Sequence, residues 1–205
     1  MQSFELADNL FQVLALGCAA VAAVVLALRR RNRRFLILAL AYACFAMGTL
    51  YYVLHLAVVG TVPQIFYVAE VSWLAAYLFF LSLQILRTEA LPLRFSWLPG
   101  LTMALIAAVA LADRVFGPSY FMTALFALTA GSIGYLSVFR LRQEIPHRRT
   151  DALMLTCVIL QVLLYLVSDF TTDYTRFNLY FAVDLTLTLS LVALLPLTQR
   201  EAQVK

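Results

Sequence analysis

Charge is scarce in this chain. Asp, Glu, Lys and Arg together make up 13% of its 205 residues, while hydrophobic residues fill 63%. A soluble domain carries about 25% charged residues, so a water-facing surface wrapped around one core is excluded. Seven glycines and six prolines leave no room for a low-complexity or linker segment. Three cysteines, Cys18, Cys44 and Cys157, all fall inside apolar runs. An odd number in such positions reads as buried packing residues and gives no disulfide framework. The sole lysine is Lys205, so no retinal Schiff base can form inside a helix, and the two histidines, His55 and His147, fall short of a three-histidine zinc site. The chain also has no Gly-x-Ser-x-Gly elbow, phosphate loop, dinucleotide fingerprint or Asn-x-Ser/Thr acceptor. No metal, no cofactor and no catalytic residue is therefore assigned.

What the chain does contain is length in its apolar runs. Seven are legible: Leu10–Leu28, Phe35–Val59, Ile65–Leu86, Trp97–Ala112, Tyr120–Phe139, Ala152–Val167 and Phe177–Leu197. Most reach the roughly 17–25 residues that a helix needs to cross about 30 Å of hydrocarbon; the fourth and sixth are short. Thirteen of the fifteen Lys and Arg lie on one set of alternate connections: Arg29, Arg30, Arg31, Arg33 and Arg34, then Arg87 and Arg94, then Arg140, Arg142, Arg148 and Arg149, then Arg200 and Lys205. Only Arg114 and Arg176 lie on the other set. Positive charge in short loops marks the cytoplasmic face. The reading is an all-α integral membrane bundle of seven transmembrane helices, residues 1–205 as one domain, with the N-terminus outside and the C-terminus cytoplasmic. Glu5 and Asp8 stand where a signal peptide would carry positive charge, so the first helix is expected to stay. The expected location is a plasma membrane, of the bacterial inner-membrane type. The net charge of +4 then favours anionic lipid, and nucleic acid is not an expected partner.

Pro63, Pro92, Pro118 and Pro146 mark loops or helix starts, Pro99 fits a first turn, and Pro196 is expected to kink the last helix near its inner end. Small residues spaced by four, such as Ala15, Ala19 and Ala23, or Ala104, Ala108 and Ala112, permit close helix contact.

Acidic groups within the apolar runs carry the functional signal. A carboxylate at the bilayer centre costs about 2.5–3.5 kcal/mol on insertion scales and needs a partner or water. Glu70 and Asp184 lie five and seven residues inside the third and seventh runs, and His55 sits at similar depth in the second. Glu70, Trp73 and Tyr77 recur at helical spacing and share one face. His55, Glu70, Trp73, Tyr77 and Asp184 are thus the expected ligand-binding residues of a polar cavity in the outer half of the bundle, with Tyr51, Tyr52, Tyr67 and Tyr180 nearby. The plainer alternative places both acids in interfacial water and the aromatics in an interfacial belt. Gln84 and Gln161 read as interhelical hydrogen-bond partners. Asp169, Asp173 and Arg176 read as a solvated outer loop, and Arg140, Arg142 and Glu144 as an interfacial charged turn.

The phrases Ala69-Glu70-Val71-Ser72-Trp73-Leu74-Ala75-Ala76-Tyr77 and Val183-Asp184-Leu185, each followed by a Leu-rich run to Arg87 or Arg200, resemble the multi-helix membrane sensor modules that precede histidine kinase or diguanylate cyclase domains. That resemblance implies a sensor, or small-molecule-binding module, signalling inward through the last helix. Its expected partners are the lipid bilayer, a small-molecule ligand from the outer side, and a cytoplasmic signalling protein or a further C-terminal domain. No kinase or cyclase follows Lys205, so the chain is expected either as the membrane region of a longer protein or as one acting through a partner. Ser168-Asp169 resembles part of the lysoplasmalogenase family of membrane enzymes, which has eight spans, one more than expected here. The alternatives are accordingly a proton-coupled transporter of a small solute or an intramembrane lipid hydrolase.

Overall fold

In hydrocarbon each backbone N–H and C=O must find its partner within the chain, and a continuous apolar run does so by forming a helix. The computed structural model describes residues 3–60, 67–89, 91–92, 96–116, 119–143 and 148–203. Seven helices follow one another, with no strand among the described residues: α1 (Ser3–Arg30), α2 (Arg33–Val59), α3 (Tyr67–Thr88), α4 (Trp97–Ala112), α5 (Tyr120–Arg142), α6 (Arg148–Phe170) and α7 (Leu179–Gln203). Pro63, Ile65, Arg94, Pro118, Glu144, Pro146, His147, Lys205 and the side chain of Tyr67 lie outside the described residues.

Six of these helices are long and apolar enough to cross a membrane. The molecule is thus membrane-embedded. The expectation of seven spans is met in part, because α4 has only 16 residues. At 1.5 Å per residue it extends about 24 Å, less than the roughly 30 Å of a hydrocarbon core. Its end is set by Asp113 and Arg114, the latter at φ 53°, which turns the chain out of the helix. The sixth run, by contrast, grows to 23 residues once its polar ends continue the helix. The first begins at Ser3 rather than Leu10, which draws Glu5, Asp8, Asn9 and Gln12 into α1.

The helices pack as a closed ring in the order α1, α2, α3, α5, α6, α7, with α4 outside it against α5 and α6. Among the described residues α3 and α7 face each other without close backbone approach. Turns set these crossings. Asn32 caps α2 by accepting from the Arg34 N–H at 3.0 Å, and Gly60 ends it at φ 76°, a conformation that residues with a Cβ rarely adopt. α7 continues through Pro196 to Gln203.

On α1 one stripe, Leu16, Ala19 and Ala23, is buried, while Leu14, Val21 and Leu28 on the opposite side are exposed. In water such apolar surface would be a liability; in lipid it is the expected coat. The small stripe Ala104, Ala108 and Ala112 does not serve the bundle: it is exposed, and α4 packs instead through Ile106 and Ala110. Cys18 likewise faces outward, whereas Cys157 is buried.

Candidate functional site

A cavity of about 560 Å³ opens at the end of the bundle that carries the start of α1. α1 supplies Glu5, Asn9 and Gln12, α2 supplies Phe45 and Tyr52, and α3 supplies Glu70 and Trp73. α6 adds Gln161, Leu164, Tyr165 and Ser168, and α7 adds Tyr180 and Asp184. Val115 and Phe116 from the turn after α4, with Tyr174 from the turn before α7, complete the rim. Among the described residues the lining holds three carboxyls and no lysine or arginine.

Helical periodicity explains which side chains meet. Glu5, Asn9 and Gln12 recur four and three residues apart, so they form one polar stripe on an otherwise apolar helix. Glu70 and Trp73 stand in the same relation on α3. Gly48 lets α3 come close: a Cβ built there would lie 2.8 Å from the Trp73 Nε1 and 2.9 Å from the Ala69 carbonyl oxygen.

A directional hydrogen-bond chain crosses four helices. Trp73 Nε1 donates to Thr49 Oγ1 at 3.3 Å, and the Thr49 hydroxyl donates to Gln12 Oε1 at 2.6 Å. Gln12 Nε2 then donates to Asp184 Oδ1 at 2.8 Å and to Thr188 Oγ1 at 3.0 Å. The Asp8 carboxyl lies beside that of Asp184, and its Oδ2 is buried with no hydrogen-bond partner among the described residues. Nearer the mouth, the Tyr52 hydroxyl donates to Glu5 Oε1 at 2.5 Å, while Glu5 Oε2 is buried with no hydrogen-bond partner among the described residues.

Of the five residues read from the sequence, Glu70, Trp73 and Asp184 come together in this cavity. Tyr77 lies one turn deeper on α3, fully buried, with its hydroxyl donating to Gln161 Oε1 at 3.0 Å. It stands edge-on to Phe126 at 5.5 Å and to Phe80 at 5.7 Å, and so belongs to the floor. His55 does not line the cavity; it lies nearer the end of α2 than Tyr52, with its ring 6.3 Å from that of Tyr51. Missed by sequence reading were Glu5, Asn9, Gln12, Tyr165 and Tyr174. The polar stripe on α1 was the available signal, hidden by starting that helix at Leu10.

The rim titrates on its own terms. The Asp113 carboxyl is pushed up to about 6, by burial first and then by the neighbouring Asp169 carboxylate. Asp169 is thus paired with a second acid as well as solvated. Asp173 is held below its ordinary range by the hydroxyl and N–H of Thr175.

Beneath the floor the interior is closely packed and largely apolar. Tyr42, Tyr77, Phe80, Phe126, Leu83, Leu187 and Leu191 are all fully buried. At the far end a second polar cluster begins. Arg87, with a side chain 0% exposed, donates from Nη2 to Glu201 Oε2 at 2.8 Å and from Nη1 to Asp151 Oδ1 at 2.7 Å. Arg140 Nε reaches Asp151 at 3.0 Å, and its Nη1 donates to the Arg87 carbonyl oxygen. Arg34 Nη1 meets Glu201 Oε1 at 3.3 Å, and Gln84 donates to Ser137 at 2.8 Å. Five helices meet here. The reading of Arg140 as part of an interfacial turn is corrected, and Arg87 is more than a flanking charge. Both guanidiniums are buried because carboxylates far away in sequence neutralise them. Arg142 remains peripheral, donating to Ser96 Oγ at 3.1 Å.

Set against known proteins, the chain matches no family model, no curated protein and no solved structure.

Proposed function

We propose that the chain is a seven-pass membrane module, N-terminus outside and C-terminus cytoplasmic, that binds a small molecule from the outer side and transmits occupancy inward. One observation carries this reading: the cavity and the ion-pair cluster are built on the same two helices. α3 holds Glu70 at one end and Arg87 at the other, and α7 holds Asp184 and Glu201, each pair 17 residues apart in sequence (70 to 87, 184 to 201). That spacing is about 25 Å along a helix. A ligand that parts or draws together the outer ends of α3 and α7 therefore acts on two rods already fastened at their inner ends. Its effect is limited by its difference in affinity for the two packings. The last helix, which continues through Pro196, is the element that carries the shift toward the cytoplasm.

The cavity size suits a small organic molecule, since ligand sites commonly span roughly 300–1,000 Å³. The closely packed layer of Phe80, Leu83, Phe126 and Leu187 below it favours binding over passage, because a solute or proton path needs a continuous line of polar groups. Thermal unfolding of the purified protein across pH and a panel of small metabolites tests the reading. Wild type should be stabilised by a bound compound, and Glu70→Gln or Asp184→Asn should blunt that gain. Identical responses from all three proteins would count against the cavity as the site. Flux of the stabilising compound into proteoliposomes would instead support the transporter.

A further inference from the structure

We infer that the cavity takes an organic ammonium ion, a primary or quaternary amine of small-molecule size. The inference rests on the reading of the cavity as a binding site and names the class of its occupant.

Three features converge. Among the described residues the lining contains Glu5, Glu70 and Asp184 and no cationic side chain, so an anionic ligand would meet like charge with nothing there to offset it. Glu5 is 4% exposed, yet its Oε2 has no donor among the described residues. A buried carboxyl oxygen without a partner is costly, and an N–H or a positive charge placed in the cavity removes that cost. Trp73, Tyr52, Tyr165, Tyr174, Tyr180, Phe45 and Phe116 then supply aromatic rings around the same space. The faces of such rings attract cations, and desolvation strengthens the attraction.

A bare metal ion fits less well. Among the described residues no group of three or more His, Cys, Asp or Glu is arranged to hold one. The volume also far exceeds an ion's. A neutral ligand with an N–H or O–H could satisfy Glu5 Oε2 but would leave the negative charge of the lining uncompensated. Asp184 has a different part: accepting from Gln12, it is already engaged, which leaves Glu5 and Glu70 to face the ammonium group.

The test uses charged and uncharged twins of one shape: choline with 3,3-dimethylbutan-1-ol, and benzyltrimethylammonium with neopentylbenzene. Trp73 is the reporter. The other tryptophan, Trp97, is 68% exposed on α4 and is replaced by Trp97→Phe, leaving one emitting group in the cavity. Quenching or shift of Trp73 emission in detergent or nanodiscs then gives affinity. At least one ammonium compound should bind about tenfold tighter than its neutral twin, and Glu5→Gln or Glu70→Gln should each remove most of that preference. Equal binding of charged and neutral twins would overturn the ammonium inference while leaving the cavity a binding site. So would a preference that survives in both Gln variants. If no probe alters Trp73 emission the inference also falls, and the metabolite-panel stability comparison of Glu70→Gln and Asp184→Asn then judges the binding reading separately.

Discussion

Single residues decide how sharply the cavity is defined. Gly48 is the clearest case, because a methyl group there would press on the Trp73 ring and on the α3 backbone together. One of those neighbours cannot move without its helix. Gly48→Ala should therefore cost about 1–3 kcal/mol by overpacking and break the Trp73 to Thr49 bond, seen as a lower melting temperature and a shifted tryptophan emission. An unchanged spectrum would mean that α2 and α3 are not closely apposed. Asp113 gives a pH signature. Its folded carboxyl titrates at about 6, against 3.8 unperturbed, so the folded protein holds this proton more tightly than the unfolded chain. The stabilisation is complete below about pH 4 and is lost as pH rises through about 6. Melting temperature across that window should fall in wild type and flatten in Asp113→Asn; parallel curves would exclude the effect. Legibility also varied residue by residue. Glu70 and Asp184 stood out because a charge within an apolar run needs a reason. Glu5 and Gln12 did not, because polar residues at the edge of a run look like its boundary.

Elements show what local pattern cannot reach. The extent of α2, α3 and α5 followed from hydrophobic length alone, since in lipid the backbone has few alternatives to a helix. α4 departs from that rule, cut short where Asp113 and Arg114 end it. The ion-pair cluster was invisible for another reason: Arg87 and Glu201 are 114 positions apart, and nothing near either one announces the other. Arg87 read as a topology marker because that is what an arginine at a helix end most often is. Its burial makes a test. Glu201→Ala leaves the buried Arg87 guanidinium only Asp151, which it shares with Arg140, and should cost about 3–5 kcal/mol, whereas Arg87→Met with Glu201→Leu should cost far less than the sum of the two single changes. Additive losses in a double-mutant cycle would show that the two charges do not depend on each other.

At the scale of the whole molecule the ring of helices, its apolar coat and its two polar ends form one argument about orientation. Arginine gathers at the end opposite the cavity, with Arg29, Arg30, Arg31 and Arg33 between or beside α1 and α2 and Arg148 and Arg149 at the start of α6. In a cysteine-free background, a cysteine placed at Asp173 should react with a membrane-impermeant maleimide on intact cells. One placed at Arg31 should react only after the cells are opened. The reverse pattern would invert the proposed topology and turn the cavity toward the cytoplasm.

The bond between Arg87 and Glu201 also limits which relative movements of α3 and α7 come easily. Sliding one past the other, like a piston, would tear apart several charge-assisted contacts at once. Pivoting leaves them intact. The two rods are joined as tweezers are joined at the spring, so that a splay at their tips disturbs this joint less than a change in their relative height.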